Sequence, residues 1–238
     1  MKCMKKYYFG VVLSLITSIV LANDIYIAQV GDTLDLDIVQ DGQNNTIGTS
    51  SQDVVLGSQG NASDSMTFNI TQTGNTNSIT AQILGATYTG TWAFTGNNNA
   101  VALLCSSSSA ANCGTVTLNI TAVGNAQAYT INIGQSASAA GAIVNFTVTD
   151  SNNVIATDIE GTSAVVTVTI AGSSSSASAN SSLDIDVAGN GDIIGHTMTF
   201  AATGRGHVVV LNQSGINDNL IDLTTNGDGH AINIIQRD

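Results

Sequence analysis

The chain has 238 residues, of which 43% are hydrophobic and only 9% are charged, and it contains no proline. Such a composition is too apolar for ordinary disorder and too poor in charged residues for a helical bundle. Seventeen acidic residues against five basic ones give a formal net charge of -12. Because an acidic surface repels phosphate and anionic lipid, we expect no nucleic-acid binding, and binding to anionic membranes is disfavoured.

The N-terminus has the pattern of a secretion signal. Three lysines precede an apolar run over residues 7–21, and Val20 and Ala22 stand at positions -3 and -1 of a cleavage point before Asn23. The rival interpretation is an uncleaved anchor, for which the apolar run is short. We therefore predict removal of residues 1–22 and a secreted, extracellular or cell-surface protein without membrane insertion.

Two cysteines, Cys105 and Cys113, remain in the mature chain 23–238 and flank a Ser-rich segment. In an exported chain, two close cysteines predict one disulfide. Closing so short a loop contributes about 2–3 kcal/mol at most. The alternative is a metal site, but no histidine lies near the pair, so we predict neither metal nor cofactor.

The mature chain alternates apolar and polar residues in short runs such as 116–120, 165–170 and 183–187. Alternation with period two, in runs rich in Thr, Val and Ile, is typical of strands that bury one face. Gly-Asn, Asn-Gly and Gly-Asp pairs separate the runs and indicate turns. The prediction is an all-β fold.

The strands also repeat. The pattern is Gln-x-Gly-x-x-(Asn, Gln, Asp or His), then about five alternating residues, then Gln again, with glycine steps of 11, 12 and 22. A β-solenoid is expected, with a repeat of about 22 residues and a half-repeat of about 11. It would form a single domain over 23–238 whose repeats degenerate over 85–200. The predicted ladder residues are Gln29, Gly31, Gln40, Gly42, Asn45, Gln72, Gly74, Asn77, Gly204, His207, Gln213, Gly215, Gly227, His230 and Gln236.

Stacking explains why polar residues recur at inward positions. Neighbouring strands lie at about 4.8 Å, which places like residues above like residues. Gln and Asn in register are then expected to bond amide to amide along the stack.

This Gln-x-Gly-x-x-Asn-x5-Gln repeat resembles the curlin repeat of bacterial curli-type fibre subunits, best at 25–47, 66–83 and 204–236. The resemblance implies a β-solenoid that polymerises into extracellular amyloid fibres or biofilm matrix. Its implied partners are further copies of the chain, a related fibre subunit, a surface nucleator and an outer-membrane secretion pore. Such a pore implies a Gram-negative bacterium as the host. Degenerate repeats in the middle of the chain depart from the family pattern.

Other candidate sites have simpler interpretations. His207 and His230 replace the repeated Asn, so a ladder role is favoured over metal ligation, and their stacking predicts pH-sensitive assembly. The paired aspartates 35/37 and 184/186 lie on single strand faces and do not form the cleft of a glycosidase, so we assign them to solubility. Gly-Asp segments at 189–192 and 227–229 resemble calcium-binding β-rolls but lack tandem copies.

Thr-x-Thr pairs at 115/117, 147/149, 167/169 and 197/199 suggest a flat array that binds ice or another ordered surface. Their unequal steps of 32, 20 and 30 argue against it. We found no phosphate-binding loop or nucleophile elbow and expect no enzymatic activity. The leading hypothesis is a fibre subunit that polymerises by end-to-end strand addition, and the alternative is a monomeric surface adhesin or accessory subunit whose irregular middle binds a ligand.

Overall fold

In the computed structural model, two parallel β-sheets are stacked face to face. The residues described are 24–25, 27–29, 33–42, 44–48, 54–57, 65–74, 76–84, 87–96, 98–105, 114–124, 127–134, 141–149, 153–160, 163–171, 182–188, 195–214 and 219–237. The predicted signal 1–22 lies outside them.

The chain alternates between the two sheets along its length. Sheet I has eleven described strands, β1 (Asp24–Ile25), β2 (Ala28–Gln29), β4 (Thr46–Ile47), β5 (Val54–Gly57), β7 (Ser78–Leu84), β9 (Ala100–Cys105), β11 (Ala128–Ile133), β13 (Val154–Glu160), β15 (Ser182–Ala188), β17 (Val208–Ser214) and β19 (Ala231–Arg237). Sheet II has eight, β3 (Thr33–Asp41), β6 (Ser65–Thr73), β8 (Thr87–Thr95), β10 (Thr115–Val123), β12 (Gly141–Thr149), β14 (Ala164–Ala171), β16 (Thr197–Thr203) and β18 (Leu220–Asn226). The fold is a β-solenoid, as predicted.

The period is longer and less regular than the sequence repeat predicts. The step in residue number is 22 from Thr67 to its partner Thr89, but it is 32 from Asp35 to Thr67. The average turn is about 26 residues. Extra residues fall in the connections, so β6, β8, β10 and β12 keep nine residues each and stay in register.

One apolar core fills the space between the sheets. Alternate residues of each strand point inward, as in the pattern of exposed and buried residues along β10. Seven inward aromatic side chains are fully buried, namely Phe68, Tyr88, Trp92, Phe94, Tyr129, Phe146 and Phe200. The Trp92 indole N–H donates to the Phe68 carbonyl at 3.0 Å, so its polar atom is satisfied inside the core.

Candidate functional site: the polar corners and the open ends

Glycine is required where the chain leaves sheet II. Gly74 has φ +154°, and a Cβ built there lies 1.5 Å from the Gly42 carbonyl oxygen of the neighbouring turn. The Gly74 N–H donates to the Thr95 carbonyl at 2.8 Å, which holds successive turns together. Gly227 repeats the geometry against Gly204. The predicted Gly-x-x-Asn turn is therefore confirmed here, and its glycine permits close approach of two backbones.

A column of polar residues follows these glycines at the entrance to sheet I. We call it the corner column, and its described members are Asn45, Asn77, Asn99, Gln127, Asn153, His207 and His230. Asn45 Nδ2 donates to the carbonyls of Gln40 at 3.2 Å and Thr73 at 2.8 Å. The corner amide thus satisfies carbonyls of its own turn and of the next one.

The predicted glutamines bond mostly to backbone rather than to one another. Gln72 Nε2 donates to Gln40 Oε1 at 2.6 Å, which is the expected amide–amide contact. By contrast, Gln213 donates to the His196 carbonyl, and Gln236 donates to the Asn219 carbonyl at 3.0 Å. Each amide lies at the end of a strand and reaches the start of a strand in the opposite sheet. The uniform amide ladder is therefore wrong for these two residues.

Apolar residues replace the glutamines in the middle of the stack. The Gln40–Gln72 column continues with Phe94, Ala122 and Val148 in successive strands. The column of Gln213 and Gln236 likewise contains Ile159 and Val187 before them. Glutamine at strand ends is therefore a property of the terminal parts of the described stack.

The two predicted ladder histidines stack on each other. Their ring centroids are 5.0 Å apart and their planes differ by 3°. The His207 backbone N–H donates to His230 Nδ1 at 3.2 Å, and His207 Nε2 bonds the Thr203 carbonyl at 3.3 Å. Burial lowers the pKa of His207 below its ordinary value. The hydrogen bond to the Thr203 carbonyl opposes this shift, and the charge of His230 adds to it. Both rings occupy the corner column, as predicted.

We expect acid to destabilise the C-terminal end of the stack, where His207 and His230 lie. The unfolded chain binds a proton at His207 near pH 6.5, whereas the lowered pKa of the folded state disfavours that proton. The contribution to stability is therefore full above pH 6.5 and is lost as the pH falls from there towards the lowered pKa. The urea midpoint is expected to be lower at pH 5.5 than at pH 7.5. His207→Asn, which restores the corner amide, is expected to remove most of that difference; an unchanged difference contradicts the assignment.

Sequence reasoning missed a second polar corner, at the entrance to sheet II. The Ala164 N–H donates to His196 Nδ1 at 3.1 Å, and the His196 N–H donates to Asn219 Oδ1 at 3.1 Å. These contacts repeat the His207–His230 relation on the opposite edge. The sequence contains one sign of this second corner. Asn219 precedes Thr225, at the end of β18, by the same number of residues as His230 precedes Gln236 at the end of β19.

The remaining predicted residues have mixed outcomes. Gln29 lies on β2 with its side chain outside the described part, and Gly31 and Gly215 lie wholly outside it. Cys105 is buried and disulfide-bonded, but Cys113 is outside the described residues, so the pairing of these two cysteines stays a prediction. Among the described residues, no group of three His, Cys, Asp or Glu side chains converges to hold a metal ion.

Threonines form columns on the outer face of sheet II despite unequal steps in sequence. Thr67, Thr89 and Thr117 are direct neighbours on β6, β8 and β10. The argument from unequal steps is therefore wrong, because insertions do not disturb strand register. The four Thr-x-Thr pairs are nevertheless offset from one another along the strands: Thr147 lies beside Thr169 and Thr167 beside Thr199, but no two pairs occupy the same two columns, so they do not form one array.

Both ends of the described stack present inward residues that no further described rung, or level of strands, covers. On β19, Ile232 is 42% exposed and Ile234 is 46% exposed, although their neighbours Val209 and Leu211 on β17 are fully buried. At the other end Leu34 and Leu36 on β3 are half-buried.

Comparisons with known proteins returned no match, whether against family models, curated proteins or solved structures. Within the described ranges, no helix is long and apolar enough to cross a membrane. The function is therefore argued from the geometry of the corners and ends.

Proposed function

We propose that the protein is an exported structural subunit of curlin type that polymerises by adding further copies of itself end to end. The observation that carries this proposal is the exposed inward face of the last rung, where Ile232 and Ile234 lack the cover given to their neighbours on the rung beneath. A terminal strand with unpaired backbone groups and an apolar face is a template for another strand.

The distribution of charge supports a head-to-tail contact. After removal of residues 1–22, the basic residues are Arg205 and Arg237, and both belong to the last rungs. Three of the acids, Asp35, Asp37 and Asp41, alternate along β3 at the first end. The last rungs also contain Asp222 and Asp228, and Arg205 lies 3.6 Å from Asp228, so that end carries both signs of charge. Joining two first ends would oppose acids alone, which favours the head-to-tail contact over that one.

The second candidate is a monomeric adhesin, and the outer face of sheet II favours it. The sheet II strands from β6 to β16 carry no charged residue at all, in a chain with seventeen acids. Their outward side chains are largely threonine and asparagine, as in Thr91 and Asn119. An uncharged, hydroxyl-rich surface with its threonines in register suits contact with another ordered surface.

Seeded growth distinguishes the two candidates. The exported chain, collected from an expressing bacterium, is incubated at rest with fragments of its own aggregates and examined by negative-stain electron microscopy. The proposal predicts unbranched fibres whose growth is accelerated by the fragments. Monodisperse short rods that do not lengthen contradict it and favour the adhesin.

A further inference from the structure

The two sheets contain different numbers of rungs. In sheet I, the short strands β1 and β2 together form one level, and β4 and β5 together form the next. Strand β1 pairs with β4 and β2 pairs with β5, and both β4 and β5 pair with β7. Among the described strands, sheet I therefore has nine levels and sheet II has eight. The described chain begins and ends in sheet I. Copies stacked in one orientation leave sheet II one strand short at every junction.

We infer that successive copies in the fibre are related by a half-turn about the solenoid axis. Strand β19 then pairs with β3 of the next copy, and β18 pairs with that copy's β1 and β2. Both sheets continue through the junction without a missing strand. This inference rests on the proposed end-to-end assembly and specifies its geometry.

The chain already contains the pseudo-twofold symmetry that this junction needs. In both sheets a strand-end glutamine lies at the same distance after the entrance corner, as Gln40 does after Leu34 and Gln236 after His230. Gln40 Nε2, ending a strand of sheet II, reaches the Thr46 carbonyl at the start of sheet I at 3.4 Å. Gln213 ends a strand of sheet I and also donates to a carbonyl at the start of a strand in the opposite sheet, that of His196, although this strand precedes Gln213 in the chain and the acceptor of Gln40 follows it.

The half-turn brings like inward residues together. Strand β19 is aligned with β3 of the next copy by their entrance corners, which places His230 beside Leu34. In that register Ile232 lies beside Leu36 and Ile234 lies beside Ile38. Gln236 then neighbours Gln40, extending the amide contact of 2.6 Å that Gln40 makes within one copy across the junction. The exposed isoleucines of β19 and the half-buried leucines of β3 thereby cover each other.

The outward residues are also complementary. Position 237, an arginine, falls beside position 41, an aspartate. Asn233 falls beside Asp37. Within one copy, Asp37 already accepts a hydrogen bond of 2.8 Å from Asn69 Nδ2 on its other side. Ile235 falls beside Val39, which is 77% exposed and is the most exposed large hydrophobic residue of the described chain.

The unrotated stack lacks these matches. It places β19 against β1 and β2 of the next copy, so that Ile235 lies beside Ala28 rather than Val39. Strands β18 and β3 are then two strand spacings apart, about 9.6 Å, with no strand between them. The edges of both strands therefore stay unpaired at every junction of the unrotated stack.

Paired cysteines test the junction in fibres of the exported chain. Asp41→Cys with Arg237→Cys joins copies only in the rotated stack, whereas Ala28→Cys with Ile235→Cys joins them only in the unrotated stack, where β19 lies against β2. Neighbouring strands allow the Cα separation of a disulfide, and within one copy these positions lie at opposite ends. We expect the first pair to give a reducible ladder of multimers on denaturing gels and the second pair to remain mainly monomeric.

The reverse result, or fibres without cross-links from either pair, overturns the half-turn. Absence of fibres in the unsubstituted chain overturns the proposed assembly itself, and the half-turn with it. If the cysteines prevent growth, charge exchange replaces them. Asp41→Arg is expected to slow seeded growth by about tenfold, and adding Arg237→Asp is expected to restore it. Failure of that restoration contradicts the rotated junction.

Discussion

Replacing Ile232 by aspartate is expected to slow fibre elongation by roughly 100-fold, corresponding to about 3 kcal/mol. In the free chain Ile232 is 42% exposed, so a carboxylate there remains hydrated and the subunit folds. At the junction the same carboxylate is buried against apolar residues of the next copy, without a partner charge. The measurement is the initial rate of growth from unsubstituted seeds, followed by light scattering.

Ile143→Asp is the matched control for this substitution. Ile143 is also 42% exposed, but it points outward from β12 in the middle of sheet II, away from both ends. We expect its elongation rate to stay within about twofold of the unsubstituted chain. If both substitutions slow elongation equally, added charge alone opposes growth. That result would contradict burial of the inward face of β19 at the junction.

Gly74→Ala is expected to lower the free energy of unfolding by at least about 3 kcal/mol, of which about 1–3 kcal/mol is the cost of a non-glycine residue at this positive φ. In addition, the new Cβ lies 1.5 Å from the Gly42 carbonyl oxygen, so the two turns must separate. That separation weakens the bond from the Gly42 N–H to the Thr73 carbonyl, now 2.9 Å long. Urea unfolding followed by circular dichroism measures the loss.

Gly141→Ala is the matched control because its Cβ has room. The nearest atom is the Ser163 carbonyl oxygen at 3.7 Å, an ordinary contact. We expect a change within about 1 kcal/mol, since alanine also restricts the unfolded chain. If Gly74→Ala is tolerated equally well, the close approach of successive turns is not a constraint on this fold.

Much of the architecture is readable from the sequence because strand and turn chemistry is local. Alternation of apolar and polar residues predicts the strands, and Gly-x-x-Asn predicts the turn at 74–77 and the corner beside it. The same spacing places His207 and His230 in one column before any coordinates are known. These predictions hold because each depends on residues within one half-turn.

The period and the polar contacts are less predictable because they depend on other rungs. Insertions between strands lengthen the step from one rung to the next without shifting register, so counting along the chain does not show which threonines become neighbours. Gln213 bonds the His196 carbonyl in the opposite sheet, a partner that local sequence does not identify. The unequal number of levels in the two sheets also appears only once every strand is assigned.

Mass per unit length of unstained fibres, measured by scanning transmission electron microscopy, tests the end-to-end stacking of solenoids most directly. One copy spans between eight and nine rungs, and rungs lie about 4.8 Å apart, so each protofilament is expected to gain one subunit per roughly 40 Å. One subunit per about 4.8 Å, the value for flat chains stacked in register, contradicts the account.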